Sequence, residues 1–132
     1  MIRYELISRG HLPGIISLCE AEGYESYKED AELTWRVLSA PGVTTMVAVE
    51  GDSILGFAQM QSDGHIQAHL SLVVVTPSHR RKGIGRKLVE EAFSRAGGKR
   101  VDLLTDTADD FYRSFKHQDH WHGYRIYPGY EE

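Results

Sequence analysis

The stretch over residues 72–85, LVVVTPSHRRKGIG, constrains the fold more than any other part of the chain. Its four leading apolar residues are typical of a strand that is covered on both faces and lies inside a sheet. A proline-containing loop follows, and Gly83 then opens a segment whose apolar residues recur on one stripe, as in an amphipathic helix. A buried strand joined by a short loop to such a helix predicts a layered α/β fold.

The loop and the start of the predicted helix are suited to bind an anion. Backbone N–H groups at a helix N-terminus lack intrahelical acceptors, and the helix dipole favours negative charge there. Glycines at positions 83 and 85 allow a ligand close to the backbone. The surrounding side chains are cationic: Arg80, Arg81, Lys82, Arg86 and Lys87. These features predict a phosphate or diphosphate site.

Two familiar phosphate-binding loops do not match this segment. The P-loop requires a glycine followed by Lys and a hydroxyl residue, and neither glycine here is followed in that way. The dinucleotide fingerprint requires a third glycine where position 88 is leucine.

The rest of the chain predicts a mixed α/β order. Apolar patterns predict strands over residues 1–7, 43–50, 53–61, 66–75, 101–104 and 124–127. Helical periodicity predicts helices over residues 11–21, 28–38, 83–96 and 108–115. The order β-α-α-β-β-β-α-β-α-β, with a hairpin turn at residues 51–52, predicts one sheet with an antiparallel front half. Because no linker or repeat interrupts residues 1–132, we expect a single domain.

Composition argues against several classes of protein. The net charge of -4 argues against a general nucleic-acid coat protein, which would be strongly basic. The single cysteine, Cys19, rules out an internal disulfide or a cysteine-only metal cage, and we expect it in the core. The longest apolar run is far shorter than the roughly 18 residues of a membrane span, and the first residues are not a basic-then-apolar leader. We therefore expect a cytoplasmic protein.

A short helix with Phe111-Tyr112 follows, later in the chain, the strand, the proline loop, the pattern Arg80-x-x-Gly83-x-Gly85 and the amphipathic helix. Together they resemble the GNAT superfamily of acyl-CoA-dependent N-acetyltransferases, over most of the chain. The resemblance implies a mixed, centrally split β-sheet flanked by helices, with acetyl-CoA as co-substrate, no metal, and direct acetyl transfer to a primary amine. The cofactor-binding residues that it implies are Leu72, Val73, Val75, Arg80, Arg81, Lys82, Gly83, Ile84, Gly85 and Arg86.

Two side chains are candidates for moving protons. The resemblance places His69 at the position of a general base and Tyr112 at the position of the acid that protonates the leaving sulfur. An imidazole, with a reference pKa of about 6.5, and a phenol, with one of about 10, suit these roles. A half-buried strand histidine and a core tyrosine are the structural alternatives. His65, Asp63 and bulk water are further candidates for the base.

The fold that the resemblance implies has its acceptor site near the first two helices, where carboxylates and aromatic rings alternate. These residues are Glu20, Glu22, Tyr24, Glu25, Tyr27, Glu29, Asp30, Glu32 and Trp35. Such a wall suits a cationic amine, either a small molecule or a protein amine. We expect no nucleic-acid or membrane partner, and a homodimer is left open.

Other features leave alternatives open. After Phe115 a polar run replaces the glycine and aromatic residue that such a family has there, so the acceptor side is expected to differ. The cluster His117, Asp119, His120 and His122 lacks the spacing of a zinc site and predicts a solvated loop. A non-catalytic acyl-CoA sensor or subunit is the alternative function, and nucleic-acid binding through residues 80–87 is a third.

Overall fold

The computed structural model describes residues 1–119 and 121–129, which form a five-stranded sheet flanked by helices. The strands are β1 (Ile2–Leu6), β2 (Val43–Glu50), β3 (Ser53–Ser62), β4 (Gln67–Val75) and β5 (Arg100–Asp102), and they lie side by side in that order. The pairs β1–β2, β2–β3 and β3–β4 are antiparallel, whereas the pair β4–β5 is parallel. A parallel pair needs a crossover connection, and a long helix supplies it.

The helices are α1 (Leu12–Glu22), α2 (Glu25–Lys28), α3 (Ala31–Leu38), α4 (Ile84–Ala96) and α5 (Asp109–Arg113), with 3-10 turns at Arg9–His11 and Pro77–His79. The single helix predicted over residues 28–38 is wrong, because Asp30 is extended and divides it. The Asp30 side chain accepts the Leu33 N–H at 3.1 Å and so caps α3 at its start.

Each face of the sheet is covered by different helices. On one face, here called the α1 face, helices α1 and α3 bury Ile15, Leu18, Cys19, Leu38, Val47, Val49, Phe57 and Val74. On the other, the α4 face, helix α4 buries Met46, Ala48, Ala58, Met60, Leu70, Ile84, Leu88 and Ala92. Strand β4 therefore has cover on both sides, as its continuous apolar end predicts.

Strands β4 and β5 are paired only near the start of β4. The register joins Gln67 with Arg100, Ala68 with Val101 and His69 with Asp102. Beyond His69, residues 70–75 of β4 have no partner in β5, so the sheet opens into a cleft there. The predicted mixed α/β sheet flanked by helices is confirmed, and its opening lies between β4 and the edge strand β5.

The predicted last strand is wrong, because residues 124–127 form no strand. Gly123 and Arg125 lie beside residues 104–106, past the end of β5 at Asp102, so no paired backbone edge is available to them. Tyr124 and Ile126 are 78% and 80% exposed, so this segment also lacks the buried face that sets a strand's register. No helix in the described part of the chain is long and apolar enough to cross a membrane.

Candidate active site

The start of α4 presents backbone N–H groups without partners in the helix. The first intrahelical hydrogen bond runs from the Lys87 N–H to the Gly83 carbonyl at 3.1 Å. The amides of Ile84, Gly85 and Arg86 therefore have no acceptor within the helix. Gly83 caps the helix in the left-handed region, with φ +83°. The free amides and the helix dipole make this a surface suited to an anion.

Arg81, in the loop before α4, also has a left-handed backbone, with φ +62°. It is the one residue other than glycine with a positive φ among the described residues. This conformation costs a residue with a Cβ on the order of 1 kcal/mol. Left-handed residues in such turns direct successive N–H groups into a concavity that binds anions. The strained backbone thus extends the amide surface of α4 into the loop.

Arg80 is held on the side of the loop that faces α1. Its guanidinium forms an ion pair with Glu22, near the end of α1, and its Nε donates to the Val75 carbonyl at 3.1 Å. Arg80 therefore connects α1 to the end of β4. It is not one of the cations left uncommitted at the start of α4.

Of the next three cations, Arg86 has side-chain partners among the residues that the structure describes, whereas Arg81 and Lys82 have none there. Arg86 donates to the carbonyl and hydroxyl oxygens of Ser114, at 2.8 Å each, and its guanidinium lies 3.9 Å from the centre of the Phe115 ring. Arg81 and Lys82 are exposed and form no ion pair with any residue that the structure describes. These two side chains are thus available to an anion at the start of α4.

The C-terminal half of β4 has an open backbone edge. The Thr76 N–H donates to the Leu55 carbonyl at 2.7 Å, and a Cβ on Gly56 would lie 2.5 Å from the Val74 carbonyl oxygen. The backbone groups of Val74 and Thr76 therefore point to β3. Because these groups alternate along a strand, those of Val73 and Val75 point to the cleft. The backbone N–H and C=O groups of Leu72, two residues before Val74, also point to β3.

A β-bulge interrupts β4 at Ser71. Gln59 of β3 pairs with Leu72, whereas Met60 pairs with Leu70, so Ser71 is an extra residue. An extra residue in a bulge is left out of the ladder. The bulge also exchanges the two faces of β4 for the side chains that follow it. The odd-numbered side chains, which alternation predicts on one face, therefore share that face only as far as His69. Beyond the bulge, Val74 lies on the α1 face.

His69 is the last β4 residue that is paired with both neighbouring strands, with Gln61 on β3 and Asp102 on β5. Its exposed side chain and that of Gln61 line an open depression of about 350 Å³. The histidine therefore stands where the sheet begins to split. This is a suitable place for a base, because the side chain is open to an amine or a water molecule.

Asp63, a candidate base in the sequence, has a structural role. Its Oδ1 accepts the N–H groups of His65 and Ile66 at 2.8 Å each and that of Gln67 at 3.2 Å. These bonds, from Ile66 first, hold the pKa of the Asp63 carboxyl below its usual range. A carboxylate stabilised in this way is a weak base. His65 is exposed and lies in the same turn, before β4 begins.

Tyr112 lies on α5, half-buried against the α4-face core. Burial raises the pKa of its phenol, and the nearby Tyr24 raises it further. Tyr24 directly precedes α2. The neighbouring Phe111 closes over the start of α4, because a Cβ on Gly85 would lie 3.2 Å from the Phe111 ring.

Most of the carboxylates expected to meet a cationic amine have partners within the protein. Glu22 pairs with Arg80, Glu25 with Lys28 at 3.1 Å, and Glu32 with Arg9 at 2.6 Å. Asp30 caps α3. The expected acidic wall is therefore largely used in holding the first three helices.

Metal and thiol chemistry have no support in the described residues. Within residues 1–119 and 121–129, no group of three His, Cys, Asp or Glu side chains is arranged to hold a metal ion. His117 and Asp119 of the predicted solvated cluster are exposed, and His120 lies outside the described residues. Cys19 is fully buried, and burial raises the pKa of its thiol to about 11, so it is a core residue.

Residues 41–117, more than half of the chain, match the acetyltransferase (GNAT) domain family. The chain therefore belongs to the GNAT acetyltransferase family. It is 29% identical to a mycothiol acetyltransferase of Streptomyces avermitilis over 99 residues, which cover 72% of this chain and 32% of that protein. The chain thus spans no more than about a third of the curated relatives that it matches.

Solved structures show the same fold. An acetyltransferase of Trypanosoma brucei has a TM-score of 0.78 at 19% identity, over 96% of this chain and 99% of that one. An aminoglycoside acetyltransferase from an uncultured soil metagenomic sample, in complex with sisomicin, has a TM-score of 0.74 at 22% identity, over 98% of this chain and 97% of that one. The likeness therefore extends along nearly the whole chain.

Two features of the site were not predicted from the sequence. The bulge at Ser71 has a weak local indication, because polar and apolar residues stop alternating two residues later, at Val73. The hydrogen bond from the Tyr27 hydroxyl to Gln59 Oε1, 2.8 Å long, has none, because 32 residues separate the two partners.

Proposed function

We propose that this protein is an N-acetyltransferase that moves an acetyl group from acetyl-CoA to a primary amine by direct attack, without a metal. The observation that carries the proposal is the free amide surface at the start of α4, beside the open edge of β4. A diphosphate group and an extended amide-containing arm, both parts of coenzyme A, fit these two surfaces. Acetyl-CoA supplies an activated acetyl thioester.

The residues of the loop and of β4 would hold the co-substrate mainly through their backbone. The amides of Gly83, Ile84, Gly85 and Arg86 bind the diphosphate, with the side chains of Arg81 and Lys82 beside them. The open backbone groups of Val73 and the N–H of Val75, whose carbonyl already accepts from Arg80 Nε, extend the sheet onto the arm, as an added strand would. Leu72 contributes its half-buried side chain.

Three groups serve the chemical step, two of them at the split of the sheet and Tyr112 on α5. His69 accepts a proton from the ammonium group of the acceptor, directly or through water, since only the neutral amine attacks. The N–H of Ser71, left out of the ladder by the bulge, can donate to an oxygen that gains negative charge. As the new C–N bond forms and the C–S bond breaks, Tyr112 donates its proton to the departing sulfur, and its raised pKa keeps it protonated for that purpose. The second proton of the attacking nitrogen passes to solvent, from which the phenol is restored.

We propose a small-molecule acceptor rather than a protein amine. The support is that the curated relatives are named mycothiol acetyltransferases, and mycothiol is a small molecule. Nucleic-acid binding is disfavoured, because Arg80 and Arg86 are engaged with Glu22 and Ser114 and do not extend the basic surface.

The test is release of coenzyme A from acetyl-CoA with a panel of amines, with mass spectrometry of the acetylated product. Amine-dependent release is expected. Tight binding of acetyl-CoA without release to any amine would instead support the non-catalytic sensor. Salt-dependent oligonucleotide binding that coenzyme A does not affect would support the nucleic-acid alternative.

A further inference from the structure

Gln59 of β3 is a nearly buried polar side chain with one unused donor group. It is 2% exposed, and its Oε1 accepts the hydroxyl of Tyr27. Its Nε2 has no hydrogen-bond partner among the described residues. Among the described residues, every side-chain nitrogen or oxygen that is shut off from solvent has a hydrogen-bond partner. Because Nε2 has no such partner among them, it must reach the surface.

The surroundings of Gln59 determine where that surface is. On the β2 side lies Thr45, 1% exposed, whose hydroxyl donates to the Leu38 carbonyl at 2.7 Å and is covered by α3. Back along β3, Phe57 is completely buried. Forward along β3, Gln61 is exposed. The Gln59 amide therefore opens toward Gln61 and β4, where the sheet splits.

On the side of Gln61 the side chains around this opening are polar and uncharged, whereas Leu72, directly across on β4 from Gln59, is apolar. Gln61 pairs with His69 across the strands and donates from Nε2 to the Ser71 hydroxyl at 3.0 Å. Gln59 and Gln61 thus lie on the sheet face of the proposed base. Since Gln59 Oε1 is occupied by the tyrosine hydroxyl, the group that Gln59 offers to a ligand is the Nε2 donor, which binds an oxygen atom and not a positive charge.

We infer that Gln59, held by Tyr27, determines acceptor specificity by donating a hydrogen bond from Nε2 to an oxygen atom close to the acceptor's amino group. The acceptor class is then an oxygen-bearing amine, such as an amino sugar, rather than an alkyl polyamine. A site built to hydrogen-bond a substrate oxygen discriminates against an analogue that lacks it, because its donor is left unpaired. This inference rests on the proposed function.

The test compares two amines with the same ring size, glucosamine and cyclohexylamine, which differ in their oxygen atoms. Gln59→Met keeps the length of the side chain and removes the donor. It is expected to lower kcat/KM for glucosamine about 3- to 10-fold, mainly through KM, and to change that for cyclohexylamine less than about twofold. The matched control is Gln118→Met, at an exposed position on the C-terminal segment, which should alter neither.

Gln59→Met also leaves the Tyr27 hydroxyl without its acceptor, so thermal unfolding is measured in parallel. The double variant Gln59→Met with Tyr27→Phe leaves no unpaired group and should show the same selective loss for glucosamine. Equal losses for both amines, or none, in a folded variant would overturn the role of Gln59. A wild-type protein that acetylates neither amine nor any other in the panel would overturn the proposed function itself.

Discussion

The two sides of the cleft are built in different ways. On the side of α4, the proposed binding groups are backbone amides and carbonyls, fixed by the start of the helix, by left-handed residues at 81 and 83 and by the open edge of β4. On the side of α1, they are side chains: Gln59 is oriented by Tyr27 and Gln61 by Ser71. The first side depends on local backbone conformation, the second on contacts between distant segments.

The difference has a functional consequence. Backbone groups vary little when side chains are exchanged, so the α4 side suits a co-substrate with constant chemistry. Side-chain groups change with each substitution, so the α1 side suits the part of the reaction in which specificity is set. Variants on the first side should therefore change the affinity for coenzyme A, and variants on the second should change turnover or acceptor choice.

The largest effect is expected for Tyr112→Phe, which removes the phenol and keeps the ring. We expect kcat to fall about 10²- to 10⁴-fold, as is typical for loss of a general acid, with coenzyme A affinity unchanged by calorimetry. Because burial raises the pKa of Tyr112, the phenol stays protonated at neutral and mildly alkaline pH, and the loss should be uniform below its reference pKa of about 10. Turnover within about twofold of wild type would make Tyr112 structural. Tyr124→Phe, at an exposed tyrosine, is the control.

A somewhat smaller effect is expected for His69→Gln. It should lower the plateau of kcat/KM by roughly 10²-fold and change its pH profile, because the proposed proton acceptor is lost. The comparison must use one acceptor, because the amine's own titration also produces a rise with pH. His65→Gln, in the preceding turn, should leave the profile unchanged. An unaltered profile in His69→Gln would move the base to His65 or to bulk water.

On the α4 side, Gly83→Asp should weaken coenzyme A binding by about 30-fold, the upper range of a charge effect at a helix N-terminus. The new side chain would meet no atom within 4 Å, so its effects are strain at φ +83° and negative charge beside the amides. Gly51→Asp is the control for backbone strain, with φ +59° and open space around it. Undiminished binding in a folded Gly83→Asp protein would place the diphosphate elsewhere.

The smallest effect separates two neighbouring arginines. Arg81→Ala keeps the backbone strain and removes one exposed charge, so it should weaken coenzyme A binding about 3- to 10-fold with little change in stability. Arg80→Ala should instead lower the melting temperature, because the links to Glu22 and Val75 are lost, with a smaller effect on affinity. Equal losses of affinity in the two variants would mean that Arg80 leaves Glu22 when coenzyme A binds.

Local pattern predicts most of the fold. Strand β2 spans the residues predicted for it, and α4 begins one residue after the predicted start, because a hairpin turn and a glycine cap set these ends locally. The segment over 124–127 has an equally strand-like sequence, yet it lies past the end of β5 and has no edge to join. A strand needs a partner, and sequence alone does not show whether one is present.

The candidate site, like the fold, is predicted from the sequence only where local pattern determines it. The amide surface of α4 follows from two glycines among cations, but the sequence does not reveal that Arg80 is bound by Glu22, 58 residues away. The face on which His69 lies followed from alternation, because the bulge at Ser71 comes after it. The catalytic roles of His69 and Tyr112 remain predictions.

The contact between Gly85 and Phe111 implies that the two glycines of the motif differ in how replaceable they are. Gly83 is favoured by its own backbone angle, and because no atom lies within 4 Å of a Cβ there, no change elsewhere in the chain relieves the strain of a side chain. Gly85 has ordinary helical geometry and is limited by a ring from another helix, 3.2 Å from where its Cβ would lie. In related sequences, an alanine at the position of Gly85 should therefore accompany a smaller residue at the position of Phe111. A change at the position of Gly83 should not be accompanied by a change at any other position.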